Sequence, residues 1–163
     1  MKPILVALLA SCPFTSSCVS VPPIETPSGR PECTIQGANA SEVQSFFMDR
    51  YISDGWMLKD QTPSQLVLWK ENASTWQNVF LGSQYDPTTT YEIRLVFASR
   101  PNGTRILGQI ALVTNEGSAF EQRNDLTGGK AGYQLWQALS NLGQQYQASR
   151  APGRSTATTA LAR

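Results

Sequence analysis

The sequence predicts an α+β domain: a four-stranded antiparallel sheet with an N-terminal and a C-terminal helix packed on one face. Three observations predict it. Residues 41–53 and 129–148 carry apolar side chains at helical spacing. Residues 56–70 and 90–114 each read as a hairpin. With helices flanking hairpins in that order, a single sheet covered on one side is the simplest way to bury every apolar face.

The first helix is expected to open at Ser41, with Gln44 three residues on completing a capping box. Val43, Phe46, Phe47 and Tyr51 make its apolar stripe. Asp54-Gly55 closes it, because glycine suits the left-handed position just past a helix end. Trp56 to Asp60 and Gln65 to Lys70 then read as two strands around the turn Gln61-Thr62-Pro63-Ser64. Residues 72–82 set Trp76 and Phe80 at helical spacing and are expected to form a short helix, with a third strand as the rival.

The second hairpin has the clearest local signal. Residues 90–99 and 104–114 flank Asn102-Gly103, the pair that favours a type I′ turn. Such a turn pairs Phe97 with Gly108, Leu95 with Ile110, Ile93 with Leu112 and Tyr91 with Thr114, all on one face. Glu92, Arg94 and Val96 fall on the other face. Phe97 is expected over the bare backbone of Gly108. Residues 115–128 are polar and glycine-containing, which predicts a long loop. The last helix runs from about Gly129 to Ala148, with Leu135, Leu139, Leu142 and Tyr146 as its stripe and Ala131 and Ala138 alongside. Residues 149–163 lack periodicity and are expected to be a disordered tail, leaving 41–148 as the domain.

The N-terminus reads as an address. Met1 and Lys2 precede residues 3–14, which are uncharged and apolar or small. That is the pattern of an export signal, and it is too short to span a membrane. Leu9-Ala10-Ser11-Cys12 and, more loosely, Phe14-Thr15-Ser16-Ser17-Cys18 resemble the processing box of bacterial lipoproteins. A helix from Pro3 to Ser17 would be roughly 22 Å long, against roughly 10 Å from Pro3 to Leu9, so length favours Cys18. The resemblance implies a signal over 1–17 and a diacylated N-terminal Cys18, with Cys12 the alternative. Val19 is not an acid. The implied location is therefore the outer membrane facing the periplasm, with the inner membrane or lipid-free secretion as alternatives. Acylation of Cys18 leaves Cys33 alone, whereas acylation of Cys12 leaves Cys18 and Cys33 free to form a disulfide.

Between anchor and domain, residues 18–40 are read as a tether. Pro22, Pro23, Pro27 and Pro31 make 19–32 an extended linker reaching roughly 40 Å, and a short edge strand at Cys33–Ile35 is the alternative to its continuing beyond that point. The element order of 41–148 is similar to that of small domains in accessory lipoproteins of bacterial envelope machines, such as the outer-membrane-protein assembly complex. That likeness implies binding to an envelope protein.

Composition narrows the chemistry. The chain has no histidine, which excludes Ser–His–Asp and Cys–His arrangements and removes the commonest metal ligand. Its three cysteines lack ligand spacing, so no metal or other cofactor is expected. Residues 40–148 carry ten acids against eight Lys and Arg, with no basic stripe, so nucleic acid is not an expected partner. Gly128-Gly129-Lys130-Ala131 lacks the first glycine and the Ser or Thr of a phosphate loop, Asn124 and Ala131 standing in those places; no nucleotide is expected. The sequons at Asn39, Asn72 and Asn102 are what a chain rich in Ser, Thr and Asn yields by chance.

Glu116, Glu121 and Asp125 share one loop, and paired carboxylates can hydrolyse glycosidic bonds. A solvated loop explains them more simply, so an enzyme acting on glycan or lipid is the alternative reading. Trp56, Trp69, Trp76 and Trp136 are mostly core candidates, Trp76 least so because helix 72–82 has few inward positions. Trp76, Tyr85 and Phe120 are the candidate partner contacts, lining a groove between loops 83–89 and 116–128, since exposed aromatics make good anchors. The sequence thus predicts a lipid-anchored, non-catalytic interaction module.

Overall fold

The chain builds, in order, β1 (Glu32–Gln36), α1 (Ala40–Ser53), β2 (Met57–Thr62), β3 (Gln65–Glu71), β4 (Thr89–Arg100), β5 (Gly103–Thr114), β6 (Gln122–Asp125) and α2 (Lys130–Arg150). These elements come from a computed structural model that describes residues 22–71 and 89–150. The expected signal, Cys12 and Cys18, the short helix at 72–82, Trp76 and Tyr85, and the tail beyond Arg150 all lie outside the described residues.

Among the described residues the sheet is antiparallel throughout and has six strands, not four, in the order β1-β5-β4-β3-β2 with β6 also on β5. The two unexpected strands share the outer edge of β5. β1 pairs with residues 103–107 and β6 with residues 111–114. Between them Pro31 accepts from the Gly108 amide at 2.7 Å, and the Thr127 hydroxyl accepts from the Ile110 amide at 3.1 Å. The backbone donors of this edge are therefore satisfied along its length. Of the two readings for Cys33–Ile35, the structure adopts the edge strand, so the domain begins before residue 41. Ile35 is fully buried. β6 falls inside the stretch expected to be loop; its four residues are all exposed, so no apolar alternation marks it.

The β4–β5 hairpin differs from expectation by two residues in register. Observed pairs are Phe97 with Ile106, Leu95 with Gly108, Ile93 with Ile110 and Tyr91 with Leu112. Arg100 pairs with Gly103, so Pro101 and Asn102 make the turn. Asn102 is not among the residues of positive φ, which rules out a type I′ turn. The reason lies in β1. Gly103 has φ +145°, and a Cβ there would sit 2.1 Å from the Ile35 carbonyl oxygen. Gly103 is spent on letting β1 approach. The slip moves every partner by two residues, so each side chain keeps its face.

Phe97 does not cover Gly108. The bare backbone there receives α2 instead: a Cβ on Gly108 would meet Leu135 and Leu139 at 2.9 and 3.0 Å. Leu135, Leu139 and Tyr146 are buried, while Leu142 is only partly so. Cys33 is half-buried, its sulfur faces Gly143, and it has no disulfide partner among the described residues. Burial, then the Glu32 charge, pushes the Cys33 thiol up to about 12.

Helix α1 covers the other half of the same face. Its cap is Asn39, whose side chain accepts from the Ser41 amide at 3.0 Å, so Ser41 is not the cap. Gln44 completes no capping box. It is buried, and its amide donates to the Thr62 and Gln65 carbonyls at 2.8 and 3.0 Å, tying α1 to the β2–β3 turn. The helix ends as expected. Gly55 has φ +81°, its amide donates to Ile52, and the Trp56 amide donates to Tyr51, with the Tyr51 and Trp56 rings 6.0 Å apart. Phe47 and Phe97 meet edge to face at 6.1 Å, joining α1 to the hairpin.

Gly103→Ala should destabilise the domain by at least roughly 1–3 kcal/mol, the range for backbone strain, with the Ile35 clash adding to it. A urea midpoint unchanged from wild type would show that β1 does not sit against the turn in this way.

Candidate functional site

The helix-free face of the sheet gathers the charges. Alternation along β4 sends Thr90, Glu92 and Arg94 to this side, between Trp69 and Val67 on β3 and Ala111 and Gln109 on β5. Glu92 sits at the centre, with its side chain only 2% exposed. A buried carboxylate needs charge partners and donors, and three cations supply them. Arg123 of β6 donates with both guanidinium arms, at 2.7 and 2.9 Å. Lys59 donates at 2.8 Å, and Arg94 lies at 3.7 Å.

Lys59 reaches inward because β2 bulges: its register against β3 shifts between Leu58 and Asp60. The same ammonium donates to Glu116 in the loop after β5. Glu116 also accepts from the Thr90 hydroxyl at 3.1 Å. The loop is thereby latched to the sheet. Within it Asn115 takes φ 54°, the Gly117 amide donates to Glu121 at 3.0 Å, and the Phe120 amide donates to the Ser118 hydroxyl at 3.1 Å.

The acids are held as carboxylates. Burial alone would raise Glu92, but the hydrogen bonds from Arg123 and Lys59 outweigh it and lower its pKa. The hydrogen bond from Lys59 lowers Glu116 against a smaller burial effect. Asp125 is lowered by Thr127, whose amide donates to it at 2.8 Å. Lys59 would be lowered by its own burial, yet its bonds to Glu116 and Glu92 raise it.

Two hollows open on this face. One, of about 650 Å³, lies between β2 and the latched loop and is lined by Leu58, Lys59, Trp69, Glu71, Thr90 and Glu116, among others. The other, of about 360 Å³, lies beside Glu92, Arg94, Gln109 and Arg123. Arg94 Nε is buried there, and it makes no hydrogen bond among the described residues.

Of the expected contact residues, Phe120 is described and is 78% exposed, on the loop that walls the larger hollow. The three loop acids do not form a dyad: Glu116 is paired with Lys59, Glu121 with its own loop backbone, and Asp125 with Thr127. Gly128 and Gly129 simply precede α2. Trp69 is half-buried at the base of the larger hollow, Trp56 packs against the edge of the core, and Trp136 stacks near Tyr133 at 5.5 Å. Among the described residues, no three His, Cys, Asp or Glu side chains converge as a metal site, and no helix is long and apolar enough to cross a membrane.

The Glu92 network was not anticipated as a site. Its signal was present: an acid and an arginine two apart in the middle of a long alternating strand must share a face. No known family model matches this sequence, and no curated protein matches it.

Glu92→Gln should cost about 2 kcal/mol at pH 7, less than the roughly 3–5 kcal/mol of breaking a fully buried pair, since its cations are part-exposed. The pH dependence follows from the lowered pKa values. Stability from Glu92 and Glu116 is complete above their ordinary value of 4.5 and drains as pH falls through the lower folded values. The gap between wild type and variant should therefore narrow on acidification. Denaturation curves that stay equally far apart down to acid pH would contradict the network.

Proposed function

We propose that this chain is a membrane-anchored bacterial lipoprotein whose domain is a non-catalytic interaction module, an accessory subunit of an envelope or secretion assembly. The anchor would be acylated Cys18 and the location the outer membrane, facing the periplasm. The observation that carries the interaction reading is Phe120. A phenyl ring 78% exposed on a loop pinned at Glu116 is poorly served by solvent and well placed as a contact anchor. Leu58, 43% exposed, and half-buried Trp69 continue the apolar surface into the adjoining hollow. The polar rim of Lys59, Glu71 and Glu116 would set orientation. Glu92, Glu116 and Asp125, held below the ordinary carboxyl range, suit fixed salt links better than proton donation.

Two measurements test this reading. Mass spectrometry of the membrane fraction should find a diacylated N-terminal Cys18; an unmodified mature N-terminus in the soluble fraction would sink the anchor. Photo-crosslinking from position 120 should trap an envelope protein, and Phe120→Ala should weaken that partner's binding roughly 10- to 100-fold, the value of burying one phenyl ring. The variant should keep the wild-type circular dichroism and melting temperature. If Phe120→Ala binds normally while Glu116→Ala or Asp125→Ala abolishes the cellular phenotype, the carboxylate enzyme is the better reading.

A further inference from the structure

We infer that the domain stands on the bilayer on its β1–β6 edge, with strand β2 turned away from the lipid. The inference rests on acylation of Cys18 and adds to it an orientation.

The chain before β1 is not all tether. Pro31 is fully buried, and its carbonyl accepts from Gly108 at 2.7 Å. Ser28 donates to Glu32, which Arg105 also holds. The Thr26 hydroxyl donates to the Arg30 carbonyl at 2.7 Å, and the Gly29 amide returns to Thr26 at 2.9 Å. Ile24 is half-buried and, with Pro22 and Pro23, faces Gly128 and Gly129 across a hollow of about 370 Å³. Residues 22–31 thus form a strap along the outer edge of the sheet.

That strap shortens the leash. Ile24 lies six residues after Cys18. Whatever their conformation, six residues span at most about 22 Å. From β1 across to β2 the sheet is four strand spacings wide, about 19 Å. The β1–β6 edge can therefore rest at the lipid with slack to spare. Bringing β2 to the lipid would take nearly the full contour length, pulled straight around the domain, at a large cost in chain entropy. The strap edge is also nearly neutral. Exposed Arg30 and Lys130 are matched by Glu25 and Asp125, and Arg30 lies close enough to Asp125 to help lower it. The lipid anchor, not headgroup charge, sets the orientation, so salt should leave it unchanged.

The test uses the acylated full-length protein in nanodiscs of phosphatidylethanolamine and phosphatidylglycerol, doped with a gadolinium-chelating headgroup lipid. Amide signals of Gly29, Gly128 and Gly129 should broaden beyond detection, while those of Leu58 and Asp60 keep most of their intensity. Inserting about ten Gly-Ser residues after Val21 should even out the two groups. Equal broadening without the insertion, or stronger broadening at β2, overturns the orientation. A mass spectrum of the same sample separates the two ideas. Cys18 acylated with equal broadening refutes the orientation alone. Acyl on Cys12, or none, refutes the short leash and the Cys18 assignment together.

Discussion

The ladder between β4 and β5 runs unbroken from Thr89–Thr114 to Arg100–Gly103, and the other elements take their places from it. Its inner face offers Ile93, Leu95, Phe97, Ile106 and Ile110 to both helices. Its one bare position on that face, Gly108, is where α2 comes closest, through Leu135 and Leu139. Its outer edge carries β1 and β6 and the strap before β1. Its outer face holds Glu92, around which the ion pairs close. A single hairpin therefore sets the core, the covered edge and the polar face. Pairing of β1 with β5 joins residues some seventy positions apart, so it closes a far longer loop than the hairpin does.

The core of this plan was legible and its margins were not. Faces were legible because alternation has period two, and the two-residue slip at the hairpin preserves parity. Register was not, because Asn102-Gly103 supports two uses of glycine. It can supply a positive φ inside a two-residue turn, or it can leave room for a neighbouring backbone, and only the presence of β1 decides between them. β1 itself was half-hidden by the prolines before it, which serve a strap rather than a free linker. β6 left no trace, since Gln122–Asp125 buries nothing and is defined by its backbone bonds to β5. Asn39 and Gln44 show a similar limit. Both Asn39 and Ser41 are good caps by type. Gln44 reads as a box residue until the β2–β3 turn places two carbonyls beside it.

The polar face was legible as a face and not as a site. Strand alternation put Glu92 and Arg94 together, but the residues that neutralise Glu92 come from elsewhere. Lys59 arrives through a bulge and Arg123 through an unforeseen strand. Both depend on irregular backbone that no hydrophobic pattern encodes. Phe120, by contrast, was visible as a large apolar residue in a polar loop, and the structure leaves it 78% exposed.

The ion pairs and the exposed ring belong to one arrangement. The loop of seven residues between β5 and β6 ties its own backbone together through Asn115, Ser118 and Glu121, but these bonds alone do not fix it against the sheet. The bond from Lys59 to Glu116 fixes one end of that loop, and β6 fixes the other through Arg123 and Glu92. Glu92 is thus shared: it receives the strand after the loop directly and, through Lys59, the start of the loop. Exposed charge pairs alone contribute little, but here they converge on an acid that burial would otherwise make costly, so each pair is also the others' support. A rigid loop loses less entropy when a partner closes on it. In this fold the buried carboxylate on the helix-free face therefore does not compete with the exposed apolar surface; it is what holds that surface in place.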